Sequence, residues 1–268
     1  MKTTYCCSLL RAAQRTRLAL AAAAIAAAAA SPAQAALIAS FETGLQGWFA
    51  TAGVATATTS SFGATHGAQA LLIDNLTAGT KQYPARTPQF NASTADFTTV
   101  YPIFSQAGAQ MAAGLFPTLS FDLTMDFSNV TANGFFQISP LFNSNSFAGP
   151  PAIGGFRQYG TGSFLTGNTN AALSLGVAAV NDGVVMTVLG PDQYRFSIPL
   201  GAGKSMSLAP ASTFYTLAFQ TNGGWQGTVD VAIDNVRLDL VPEPTSAGLG
   251  AAALLAASLA RPLRRRRQ

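Results

Sequence analysis

The sequence predicts an all-β protein: one antiparallel β-sandwich, preceded by an N-terminal signal helix and followed by a short C-terminal transmembrane helix. Three observations carry this. Between residues 36 and 240, apolar residues recur with a period of two, in runs separated by Gly, Asn, Ser and Pro. A basic segment leading into an unbroken apolar stretch opens the chain, and an uncharged stretch leading into an arginine cluster closes it. Both cysteines stand at positions 6 and 7, so the body has neither a disulfide framework nor a thiol nucleophile. A chain of 268 residues is long enough to bury a sizeable core without them.

The first element is residues 1–35. Lys2, Arg11, Arg15 and Arg17 precede the apolar run 18–30, and Ser31-Pro32-Ala33-Gln34-Ala35 follows. Charged, apolar and small-residue parts in that order read as a secretory signal, with Ala33 and Ala35 as the small residues before a cut after Ala35. Cys6 and Cys7 lie far upstream of that cut, so the exported chain carries no cysteine.

The second element is the body, 36–240. Phe121, Leu123, Met125 and Phe127 alternate with Asp122, Thr124 and Asp126, giving one apolar and one polar face. Further strands are expected at 37–41, 48–51, 69–74, 135–138, 193–198, 214–220 and 228–240. Runs 173–180 and 184–189 read as a hairpin turned by Asn181-Asp182-Gly183. Residues 140–170 read as a long loop, and scarcely any helix signal is present. About ten short strands of this kind suit a single sandwich domain. The body holds six basic and ten acidic residues, a net of −4, which argues against a polyanion such as nucleic acid as a partner and fits a neutral glycan better.

The third element is the tail, 241–268. Pro242-Glu243-Pro244 leads into the uncharged stretch 245–260, which is followed by Arg261 and by Arg264, Arg265, Arg266 and Arg267. Sixteen helical residues span roughly 24 Å, short for a bilayer core of about 30 Å. The arginines stay cytoplasmic by the positive-inside rule. This order of motif, short apolar helix and terminal arginines resembles the PEP-CTERM sorting signal. The resemblance implies recognition by an exosortase in the inner membrane of a Gram-negative bacterium. It also implies removal of the tail and delivery to the cell surface or exopolysaccharide matrix.

The body carries a second resemblance. Phe41-Glu42 with Gly47-Trp48, then Gly67-Ala68-Gln69-Ala70-Leu71, and finally Ile233-Asp234-Asn235-Val236 resemble the opening and closing of galactose-binding-like jelly rolls and carbohydrate-binding modules. It implies a jelly-roll sandwich and a structural calcium held by Glu42 and Asp234, with carbonyls near residues 63–67. The alternative for both acids is a hydrogen-bonding role at strand ends. No EF-hand spacing occurs.

Catalytic chemistry is sparse. The lone His66 cannot build the usual zinc site, and no nucleophile elbow accompanies it. Asp122 and Asp126 stand roughly 13 Å apart along one strand, beyond the ~5–9.5 Å of glycosidase pairs, and read as a solvated face. Trp225, in Asn222-Gly223-Gly224-Trp225-Gln226, reads either as partly exposed, stacking on a sugar ring while Asn222 and Gln226 bond hydroxyls, or as folded back over the edge of the core. Trp48 reads as core, and Tyr83, Tyr101 and Tyr159 as loop residues able to form a platform. The function expected is a non-enzymatic surface or matrix protein binding exopolysaccharide. The alternatives are a secreted glycan hydrolase or lyase, and a purely structural or adhesive subunit.

Overall fold

Strand pairing follows the period-two pattern, because a sandwich buries one face of each sheet and every second side chain reaches the core. The computed structural model describes residues 35–51, 53–144, 156–159 and 164–241. In chain order the strands are β1 (Ala35–Ala39), β2 (Thr56–Ser60), β3 (Ala70–Thr77), β4 (Gln82–Arg86), β5 (Thr118–Asp126), β6 (Val130–Ala132) and β7 (Phe135–Ser144). They continue with β8 (Phe156–Gln158), β9 (Leu165–Asn168), β10 (Ser174–Leu175), β11 (Val185–Gly190), β12 (Gln193–Pro199), β13 (Tyr215–Gly223) and β14 (Gln226–Asp239). Two α-helices interrupt them, α1 (Val100–Ala112) and α2 (Val177–Asp182).

The strands form two antiparallel sheets. The first runs β11-β12-β5-β14-β3-β2, with β1 and β6 also paired to β14; the second runs β10-β9-β7-β13-β4, with β8 on β7. Facing rows from the two sheets meet in one core. Phe121, Leu123, Val231 and Ile233 come from the first, and Phe136, Ile138, Leu217 and Phe219 from the second. Phe121 meets Phe219 edge-on across the sandwich, with ring centroids 4.9 Å apart.

The helices correct the expectation of a body without them. In α1, Val100, Phe104, Ala107, Gly108 and Met111 form one buried stripe at helical spacing. Phe104 inserts among Phe90, Tyr215 and Phe142, at 5.2, 5.6 and 5.7 Å. The expected hairpin at 181–183 is instead the end of α2. Gly183, at φ +80°, is its left-handed C-cap, and its N–H reaches back to carbonyls of the last turn. The same Asp-Gly pair serves either structure, and Val177-Ala178-Ala179 favours the helix. The region expected to be a long loop holds β8, β9 and the second half of β7. The expected strand 48–51 reduces to a single bridge between Phe49 and Arg86.

Ala33, Pro242, Glu243, Pro244 and Arg264–Arg267 lie outside the described residues, as do the signal helix and the C-terminal transmembrane helix. Ala35 is the first residue of β1, opposite Asp239. Among the described residues no helix is long and apolar enough to cross a membrane.

Replacing Phe104 by Ala should cost about 3–5 kcal/mol, as for other buried Phe→Ala changes, read from urea unfolding. A loss below about 1 kcal/mol would mean that α1 is not part of the core.

Candidate functional site

Two polar arrangements stand on the outer faces of the sandwich, one on each sheet. On the first sheet, register places Asp122 of β5 opposite Asp234 of β14. They are 1% and 0% exposed. Their strand neighbours Phe121, Leu123 and Ile233 point into the core, so both carboxylates point outwards, beneath the loop before β3.

A buried carboxylate needs compensation, and each has a different kind. The Arg195 guanidinium on β12 grips Asp122 with two bonds of 2.7 Å. Asp234 accepts the backbone N–H groups of Thr65 and His66, both at 2.7 Å, and that of Asn235 at 2.6 Å. The Thr65 hydroxyl ties the two acids together, 2.5 Å from Asp122 and 3.1 Å from Asp234. Asp122 is therefore an ion-paired anchor and not the solvated side chain expected. Asp126 bonds the N–H of Ser128.

Glu42 holds the far end of the same loop, accepting N–H groups of Ala68 and Gln69 at 2.9 and 2.8 Å. Those bonds favour its charged form and pull its pKa below the usual carboxylate range. Gly67, at φ +85°, makes the approach possible, since a Cβ there would collide with the Glu42 carboxylate.

These contacts decide how well the two acids suit calcium. Glu42 and Asp234 are met by N–H dipoles, whose positive ends occupy directions a cation would need. Among the described residues no three His, Cys, Asp or Glu gather as a metal-binding group. The arrangement fits the hydrogen-bonding role of these acids and does not fit a calcium cage. His66 contributes its backbone N–H to the clamp, while its Nδ1 is buried without a hydrogen-bond partner.

The second arrangement is on the outer face of the other sheet. Register aligns Asn143, Leu141, Ser139 and Gln137 of β7 with Thr216, Ala218, Gln220 and Asn222 of β13. Next to them β4 brings Arg86 opposite Ala218. A groove of about 390 Å³ opens here, its lining including Phe49, Tyr83, Arg86, Leu141, Asn143 and Thr216. The Arg86 guanidinium lies over the Phe49 ring, 4.6 Å from its centroid. Gln220 donates to the Tyr83 hydroxyl at 3.2 Å. Ser139 Oγ and Asn143 Oδ1 are buried atoms of this face with no hydrogen-bond partner, as is Gln158 Oε1 on β8. Unmet polar atoms of this kind are where a ligand or water bonds.

Two larger clefts differ from it. One of about 520 Å³, lined by Ser40, Thr43, Gln46 and Asp96 among others, has no aromatic side chain. The other, about 570 Å³, also joins aromatic and polar side chains, Phe127 and Tyr194 with Asn170 and Asp192, but it has a more apolar wall that includes Leu173, Met186 and Val188.

The residues expected to bind sugar lie elsewhere or are already engaged. Trp225 is 3% exposed, folded back over Gly223 and 5.4 Å from Phe136, so it is core and offers no stacking face. Gly223 leaves the space that the indole fills. Asn222 is buried, donating to Gln137 and accepting the N–H of Lys81. Gln226 is exposed at the start of β14, opposite Ala132. Trp48 is core, as expected. Of the three tyrosines only Tyr83 lines the groove; Tyr159 is buried, and Tyr101 bonds the Ser212 carbonyl. Phe49, Arg86 and Asn143 were not anticipated, and the only local signal for them was the half-polar pattern of their strands.

No protein-family model matches the sequence, and no curated protein is detectably similar to it. Among solved structures, the chain is similar to a carbohydrate-binding module of family 28, specific for non-crystalline cellulose. That match has 13% identity, covers 78% of this chain and 96% of the other, and has a TM-score of 0.41. A xylan-binding domain of family 22 matches at 16% identity over 76% and 93% of the two chains, with a TM-score of 0.40. The C-terminal family 22 module of Clostridium thermocellum Xyn10B matches at 16% over 77% and 93%, with a TM-score of 0.38. The assignment as an antiparallel β-sandwich rests on the strand pairing itself.

Asp234→Ala leaves the Thr65 and His66 N–H groups unpaired and should cost at least about 2 kcal/mol. Hydrogen exchange should quicken at residues 63–69, while a chelator leaves the melting temperature of the unaltered protein unchanged. A chelator-induced drop would restore the cation. Because the pKa of Glu42 is lower folded than unfolded, its stabilisation is complete above the unfolded value. It is lost as pH falls through the folded one. Glu42→Gln should therefore flatten the acid limb of stability against pH, measured by thermal unfolding from pH 7 to pH 3.

Proposed function

We propose that this is an exported, non-enzymatic surface or extracellular-matrix protein that binds polysaccharide in the groove on the outer face of its six-stranded sheet. One observation supports this most. The half-buried rings of Phe49 and Tyr83 converge there with the exposed Arg86 and the Asn143 side chain. Aromatic surface and a few fixed polar groups are what a sugar ring with its hydroxyls requires. The volume falls in the range of small-ligand sites. The described residues lining the groove include no Asp, Glu or His for acid–base chemistry, which favours binding over hydrolysis.

The termini supply the route in this reading. The signal segment exports the chain, and the tail holds it briefly in the inner membrane. An exosortase acting at Pro242-Glu243-Pro244 then passes the body to the cell surface or exopolysaccharide of a Gram-negative host. In this reading Glu42 and Asp234 serve to clamp the loop before β3.

Titration of the protein with the producer's own exopolysaccharide tests the groove. Tyr83→Ala and Asn143→Ala should each weaken binding about tenfold, the effect of losing roughly 1.4 kcal/mol, with unchanged circular dichroism. Undiminished binding by both variants would move the ligand off this face. Replacing Pro242-Glu243-Pro244 should separately abolish tail removal, seen as a mass difference in the exported protein; unchanged processing would refute the sorting reading.

A further inference from the structure

Charge is divided between the two sheets. Six of the body's ten acids, Asp74, Asp122, Asp126, Asp230, Asp234 and Asp239, lie on strands of the eight-stranded sheet. The strands of the six-stranded sheet carry no Asp or Glu and two arginines, Arg86 and Arg157. Arg157 stands opposite the core residue Phe142, which leaves Arg86 as the cation of the outer register. Arg86 is exposed, and no ion pair joins it to a carboxylate among the described residues. It is not a loosely placed surface charge, however. Its backbone exchanges both hydrogen bonds with Phe49, and its guanidinium is stacked on the ring of that same residue.

We propose that the groove selects an acidic glycan, one bearing uronate carboxylates, and that Arg86 is the residue that seats the carboxylate; this rests on the glycan-binding reading above. A guanidinium held over an aromatic ring is restricted in position by that contact. Its N–H groups radiate from the edge, in the fork that matches the two oxygens of a carboxylate. It stays charged at every physiological pH. The Asn143 side chain shares the groove, where its amide suits a neighbouring hydroxyl of the same sugar.

The net charge of −4 on the body is concentrated away from this groove. Six of the ten acids lie on strands of the other sheet, and one of these, Asp122, is neutralised by Arg195. The field an approaching polymer meets first is that of the near sheet, where no strand supplies an opposing carboxylate.

The test is calorimetric titration of the full chain with uronic-acid oligosaccharides, each beside its own carboxyl-reduced form. Galacturonate, mannuronate–guluronate and glucuronate-bearing xylan oligomers serve as probes. At least one acidic oligomer should bind about tenfold more tightly than its reduced counterpart. That advantage should shrink as salt is raised and vanish in Arg86→Gln, whose affinities for the acidic and reduced forms become equal. Arg86→Lys should recover only part of the preference, since it restores charge without the fork. Equal affinity for acidic and reduced forms, or a preference that persists in Arg86→Gln, would overturn the role of Arg86 and leave glycan binding standing. Binding of no acidic or reduced oligomer, and none of the producer's exopolysaccharide, would overturn both.

Discussion

Strand Gln226–Asp239 is paired along both its edges, with β5 on one side and with β3 and β1 in succession on the other. That arrangement brings the first strand of the sandwich against the last, across two hundred residues of sequence. It also buries the middle of β14 so thoroughly that Asp234 has no access to water. A carboxylate in that position is tolerated only where donors surround it. The donors come from a loop, so the demand of one buried charge fixes the path of the chain before β3. Asp122 repeats the arrangement one strand away, with Arg195 as its counter-ion and Thr65 as the shared tie. Pairing in the sheet and closure of the loop over it are thus one interaction seen from two sides.

The second sheet depends on the first through aromatic packing. Phe121 and Phe219 meet across the interface, and Trp48 packs on Phe219 from the edge. Helix α1 closes a neighbouring part of the core through Phe104. With its inner face used in this way, the second sheet turns its polar row away from the core; Gln137, Ser139, Gln220 and Asn222 of that row are buried, while Phe49 and Tyr83 stay half-buried and Arg86 exposed beside it. Acids used to fasten the loop over the first sheet are absent from the strands of the second. Structural work and the candidate binding surface are therefore separated by sheet, and the charge asymmetry follows from that separation.

Parts of this were legible in the sequence. The alternation at 121–127 became β5, and those at 193–198 and 228–240 became β12 and β14, because a half-buried strand writes its period directly into its residues. Helix α1 was missed: Val100, Phe104, Ala107 and Met111 have helical spacing, but short apolar and small residues around them obscure the period. Gly183 shows the limit of turn signals, since a left-handed residue ends a helix as readily as it reverses a hairpin. Trp225 shows the same for sites: a Trp among glycines looks exposed, yet glycine also makes the room into which it folds.

The sequence by itself determined the strand periodicity, the cysteine-free apolar core, the charge balance of the body and the character of its two ends. Each of these is a property of neighbouring residues or of composition. Only the tertiary structure decided that Asp122 and Asp234 stand together under Thr65, and that Phe49, Tyr83, Arg86, Asn143 and Thr216 line one groove. These sets join residues tens to more than a hundred positions apart through strand order and register. Register is settled by the packing of whole sheets, and no local run of residues records it.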